Sequence, residues 1–218
     1  MRCFVIGNGI SLKASDLDLI TGQPSIACNR INLLYPETKW KPTVYVHPES
    51  LAPDLPFIQE NINLGIECYI GEHYAKPPRG VMDLSDAPNI HWIKDCHHHL
   101  INFDDPEVLD EWHLPQLCSF GGSVNIAMQI AVQKYGFDEI VLLGCDLLYR
   151  DKKPSHMHPD YEHGGEQPAF YQSRNAFYGH IQALNWIRRK KKDIKVYNAT
   201  RGGLLELWER VKLEDVSG

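Results

Sequence analysis

The sequence predicts an α/β fold: a Rossmann-like, doubly wound, mostly parallel sheet with helices on both faces and long loop insertions. Short apolar runs rich in β-branched residues recur along the 218 residues, and stretches with helical spacing separate several of them. Strands that alternate with helices pair in parallel, because each crossover needs a helix to return the chain to the same sheet edge. Two of the apolar runs also end in glycine turns, as strands feeding a ligand crevice do.

Taken in order, the strand candidates are CFVI (3–6), SIAC (25–28), TVYV (43–46), ECYI (67–70), IHWI (90–93), EIVLLG (139–144) and IKVYN (194–198). A helical stretch covers 50–65, irregular at its start because of Pro53 and Pro56. The clearest helix is 121–136, with Val124, Ala127, Met128, Ala131 and Val132 on one face and Gly136 as its stop. A third spans 173–192. Residues 71–120 and 149–172 break the rhythm, being rich in Pro, Asp and His or polar and turn-prone. They are expected to be flap or lid segments of one domain spanning 1–218, since long irregular loops in compact domains serve function or disorder.

Composition narrows the partners. The 22 Lys+Arg against 28 Asp+Glu give a net charge of -6, which argues against nucleic acid or an anionic membrane. The basic run Arg188–Lys192 closes a helical pattern, where cations complement the carbonyl end of the dipole. The 6 Cys include no C-x-x-C pair, and several lie in apolar runs as small buried hydrophobes. A reduced, cytoplasmic protein without signal peptide or membrane span is expected. The oligomeric state is open, and a homo-oligomer is compatible with everything here.

Gly7, Asn8, Gly9 and Ser11 form the opening turn, GNGIS. It begins like G-x-G-x-x-G, but Leu12 fills the third glycine position and Asn29 stands where a ribose-binding carboxylate belongs. A dinucleotide is therefore not expected; what the residues leave open is a generic anion site of backbone N–H groups near a helix start, or a tight strand-to-helix turn. Gly121, Gly122 and Ser123 open the clearest helix and offer amides and a hydroxyl to an anion, although Ser at such a place often only caps. The run EIVLLGCDLLY then presents Asp146 and Tyr149 at a strand's carboxyl edge.

With VIGNGISL, ACNRI (27–31), GGSV, IVLLGCDLLY and KVYNAT (195–200) in this order, the chain resembles the bacterial sialyltransferases of glycosyltransferase family 42. It also resembles the related group of flagellin motility accessory factors (Maf) and MptE-like pterin pyrophosphokinases. The resemblance implies that Asn8, Ser11 and Asn29 contact a CMP-sugar donor, with Gly121, Gly122 and Ser123 near the sugar carboxylate. It gives Tyr149 the departing phosphate, one residue further from Asp146 than in the family, with Tyr161 as a second candidate. Where the family has an Asn after its third strand, this chain has His47 and Glu49. A general base is implied between the G-x-D strand and the next long helix, where His156, His158 and His163 lie; His156 or His158 is favoured.

The resemblance implies an inverting transferase of a CMP-activated sugar, such as a nonulosonic acid, acting on a hydroxyl acceptor, with no tightly bound cofactor. The alternatives are a Mg²⁺-dependent pyrophosphokinase using Asp146 and Asp160, and a non-catalytic nucleotide- or sugar-binding protein. No metal site is expected: His97, His98 and His99 are consecutive and diverge, and the His156, His158, Asp160 and His163 group has no Cys beside it.

Overall fold

The computed structural model of the chain describes residues 1–48, 54–72, 84, 87–95, 116–117, 122–149, 154–161, 169–190 and 193–218. Nine strands, β1 (Arg2–Ile6), β2 (Ser25–Cys28), β3 (Val44–His47), β4 (Glu67–Gly71), β5 (Ile90–Asp95), β6 (Gln116–Leu117), β7 (Glu139–Leu143), β8 (Lys195–Asn198) and β9 (Glu209–Arg210), form one sheet in the order β6-β5-β4-β3-β2-β1-β7-β8-β9. Every pairing among them is parallel. The helices are α1 (Ala14–Asp18), α2 (Leu55–Asn63), α3 (Ser123–Gln133), α4 (Ala169–Lys190) and α5 (Leu213–Val216), with a 3₁₀ segment at Ile31–Glu37.

Alternation along β1 explains why its sequence is apolar throughout. Cys3 and Val5 point into one core with α3 and α4, while Phe4 and Ile6 point into another with α1, the 3₁₀ segment, α2 and α5. The central strands β1, β2, β3, β4 and β7 are buried on both faces, which leaves them no polar side for water. The helix of α3 buries nine of its residues, from Ser123 to Val132, against β1, β2 and β3. Burying this continuous apolar surface is the main stabilising term of the fold.

The predicted strands recur within one or two residues of their expected bounds. The structure adds two two-residue strands, β6 and β9, too short to carry a pattern, and starts α4 four residues earlier than expected. The expected flap at 71–120 supplies β5 and β6 to the sheet, and most of its other residues lie outside the described ones. Among the described residues no helix is long and apolar enough to cross a membrane.

Strand order reverses between β1 and β7: the chain works outward from β1 to β6, then returns beside β1 to continue as β7, β8 and β9. In open α/β sheets the crevice outside the carboxyl ends of the strands at such a reversal is where ligands bind.

Candidate functional site

The two glycine turns leave β1 and β7 side by side at this reversal. Gly7 donates its N–H to the Leu143 carbonyl and Gly9 to that of Gly144, each at 2.8 Å. A Cβ on Gly7 would stand 2.6 Å from the Gly144 oxygen, and one on Gly9 would overlap the Asp146 carboxylate. The contacts that demand glycine here are thus with the neighbouring strand end. The side-chain-free face of Gly7 is filled by the Gly144 backbone, and that of Gly9 by the Asp146 carboxylate and the Gly144 carbonyl.

What the turns hold in place is Asp146. It is 3 % exposed. Its Oδ2 accepts the Ser11 hydroxyl at 3.0 Å and, less closely, the Ser11 N–H at 3.4 Å. Its backbone carbonyl accepts the Leu204 N–H at 2.7 Å, and Gly203 fits beneath because it has no Cβ. The second carboxylate oxygen, Oδ1, is buried with no hydrogen-bond partner among the described residues. Burial pushes this carboxyl above the usual carboxylate range, against the Ser11 hydrogen bonds that pull it down.

Asn8 shows the same incompleteness. Its Nδ2 donates to the Cys28 carbonyl at 2.9 Å, and its Oδ1 is buried without a partner among the described residues. Two orphaned acceptors on adjacent turns are uncommon in a folded protein and suit a ligand that donates hydrogen bonds, such as a hydroxyl-bearing sugar or ribose.

On the other side of β1, Asn29 ends β2 in the left-handed conformation (φ 51), which Asn tolerates better than most residues. Its Oδ1 accepts the Ser123 hydroxyl at 3.0 Å. Ser123 therefore does not cap α3; it ties the helix start to the end of β2. Gly122 precedes it at φ 83 and ψ -172, a region that only glycine occupies readily, and a Cβ there would meet open space. Backbone conformation, not crowding, requires glycine at this helix start. Gly121 lies outside the described residues.

The histidine segment closes over the first turn. His156 makes an antiparallel bridge with Gly9, and Met157 donates its N–H to the Asn8 carbonyl at 3.0 Å. The His156 ring stacks on Tyr161 with centroids 4.0 Å apart and 13° between planes; Tyr149 meets it edge-on at 6.1 Å. Ser11, Asn8, Asp146, Tyr149 and His156 are thereby brought together. His158 is not part of this group. Its Nδ1 accepts the Asp160 N–H at 3.1 Å, and it lines a depression of about 640 Å³ with Asn32, Lys41, Glu60 and Asp160. His163 lies outside the described residues.

Sequence reading missed a buried polar chain beneath this segment. His47 and Tyr45, two apart on β3, share a face: the Tyr45 hydroxyl lies 3.2 Å from His47 Nδ1. His47 Nε2 is 3.3 Å from Asp54 Oδ2, and Asp54 Oδ1 accepts Arg30 Nε at 2.7 Å. Arg30 Nη1 donates to the Tyr161 carbonyl at 2.7 Å. Burial alone would raise the Asp54 carboxyl, but the hydrogen bonds and charges of His47 and Arg30 outweigh it and hold the group below its ordinary value. The one signal was the departure at His47 itself, a histidine ending an apolar strand.

His180 is buried on α4 and accepts the Trp208 indole N–H at 3.2 Å. Burial holds its imidazole down to about 4. Cys3, Cys28, Cys68 and Cys145 are buried, and burial pushes the thiols of Cys3, Cys68 and Cys145 up to about 12, so they stay protonated.

No protein-family model matches the chain, and no curated protein matches it in sequence. Two solved structures match it in fold. One is the Maf glycosyltransferase from Magnetospirillum magneticum AMB-1, with a TM-score of 0.56 and 14 % identity over 98 % of this chain and 34 % of that one. The chain thus spans about a third of that protein's length. The other is the sialyltransferase CstII from Campylobacter jejuni in complex with a substrate analogue, CMP-3FNeuAc, with a TM-score of 0.55 and 18 % identity over 96 % of this chain and 85 % of that one. At these identities the likeness establishes the fold, an α/β sheet of Rossmann type shared with two sugar-transferring enzymes.

Proposed function

We propose that the chain transfers a sugar from a CMP-activated donor to a hydroxyl acceptor with inversion, and that His156 is its general base. The observation that carries this reading is the pair of orphaned acceptors, Asn8 Oδ1 and Asp146 Oδ1, on adjacent turns at the sheet reversal, with the His156 segment bonded to the same turn. A nucleoside's ribose hydroxyls answer those acceptors. The helix amides at the start of α3 favour an anionic group of the donor. The solved sialyltransferase complex with CMP-3FNeuAc, alike in fold, lends this donor class support.

In the reaction, the acceptor oxygen attacks the anomeric carbon, the bond to the CMP phosphate breaks, and CMP leaves with the electron pair. His156 takes the acceptor proton, a role suited to imidazole near neutral pH. Tyr149, edge-on to His156, donates to the phosphate as its charge grows. A nonulosonic acid would place its own carboxylate near Gly122 and Ser123. The pyrophosphokinase alternative needs an acidic pair for Mg²⁺. Asp160 sits instead beside His158, and among the described residues no three His, Cys, Asp or Glu side chains converge.

The test is transfer and donor hydrolysis with CMP-sugars. His156→Ala is expected to lower transfer about 100- to 10,000-fold while leaving CMP affinity within a few-fold. Unchanged transfer would overturn the base assignment, and turnover of ATP and a pterin with Mg²⁺ would replace the donor class.

A further inference from the structure

We infer that Arg30, with Asp54 and His47 behind it, is a positioning device that orients the His156 ring from within the protein core. This rests on the transferase reading for its purpose, though not for its test. The chain of contacts is continuous. Tyr45 and His47 are fully buried on β3, Asp54 is 3 % exposed before α2, and Arg30 is 5 % exposed directly after Asn29. His47 stands between both neighbours, its Nε2 3.3 Å from Asp54 Oδ2 and its Nδ1 3.2 Å from the Tyr45 hydroxyl. Asp54 in turn meets Arg30 through Nε at 2.7 Å and Nη2 at 2.6 Å. That fork leaves Nη1 to hold the Tyr161 carbonyl, while the guanidinium lies 5.2 Å from the Phe57 ring centroid and 5.9 Å from that of Tyr161.

The segment from His156 to Tyr161 is therefore pinned at two ends. Met157 and His156 bind the glycine turn, and Tyr161 binds Arg30. The Tyr161 ring, fixed by Arg30, supplies the flat surface on which His156 stacks. A buried guanidinium–carboxylate pair is a poor source of net stability, because desolvation offsets most of its attraction. Its two-pronged geometry is well suited to fixing one carbonyl in one place, which a lysine point charge cannot do. His47, which departs from the sialyltransferase pattern, serves Asp54 here.

The test is proton NMR on the free protein, following the His156 ring signals and the Met157 amide in Arg30→Lys and Tyr161→Leu. In the wild type the stacked Tyr161 ring displaces the His156 C–H signals upfield. Arg30→Lys is expected to remove that displacement and to speed Met157 amide exchange about tenfold. Tyr161→Leu, at a half-buried position, is expected to remove the displacement in a folded protein. Should Arg30→Lys not fold, Arg30→Gln with Asp54→Asn replaces the ion pair by amides and is expected to lose the displacement likewise. A displacement that persists in the Arg30 variants, or in Tyr161→Leu, overturns the inference. These signals are read without ligand, so absence of CMP-sugar turnover would sink the transferase reading and leave this test intact.

Discussion

Asp146 is a buried carboxylate with one oxygen satisfied by Ser11 and one satisfied by nothing described. Its folded-state pKa is raised above the unfolded value of about 4. Between those values the folded protein binds more protons than the unfolded chain, so stability falls as pH rises through that window and stays lower at neutral pH. Asp146→Asn should therefore be more stable than the wild type at pH 7, with an advantage that shrinks as pH falls toward 4, measured by urea unfolding across pH. It should bind the nucleotide more weakly, the usual trade of stability against function. A gap that does not move with pH would make the carboxylate purely structural. Gly9→Ala should lose at least 1–3 kcal/mol by the same unfolding assay, because its Cβ overlaps Asp146. At this scale the two turns were legible in the sequence and the crowding between them was not. GNG and GCD read as ligand turns, whereas the crowding between them is a matter of two strands distant in sequence, which no local pattern displays.

At the scale of elements, the start of α3 and the anchoring of α4 make separate predictions. Gly122→Ala puts a side chain into a glycine-only conformation with open space around it, so it should destabilise by about 1–3 kcal/mol and loosen the Ser123–Asn29 tie. Ser123→Ala, which keeps the helix uncapped as before, should cost less stability than ligand affinity, checked by comparing unfolding with CMP titration. His180 is neutral when buried, with its folded pKa about 4 against an unfolded value of about 6.5. Its contribution is whole above that unfolded value and is lost as pH falls, by roughly 3 kcal/mol at pH 4. His180→Gln should flatten this acid limb of the stability curve. The helix of α3 was legible because one face repeats at helical spacing. The 3₁₀ segment, α1 and α5 were not, since a turn or two carries too little periodicity.

The sheet as a whole decides where the chemistry sits. All nine strands run parallel, and the one reversal of their order falls between β1 and β7, beneath Asn8 and Asp146. Sequence could foretell the parallel class from alternating strands and helices, because a doubly covered strand must be apolar on both faces. It could not foretell the strand order, and with it the adjacency of residues 8 and 146. Nor could it foretell the buried path from Tyr45 through Arg30 to His156, whose members lie on four separate segments. The central claim is that this reversal binds a CMP-type nucleotide without metal. The most direct measurement is thermal unfolding with CMP, CDP, UDP, GDP and ATP, each with and without Mg²⁺, on wild type and Asp146→Asn. A ligand at about 100 times its dissociation constant stabilises by about 2.7 kcal/mol, roughly 5–10 °C for a chain of this size. The expected result is that shift with CMP regardless of Mg²⁺, reduced in Asp146→Asn. A shift with ATP that needs Mg²⁺, or none with any nucleotide, would contradict it.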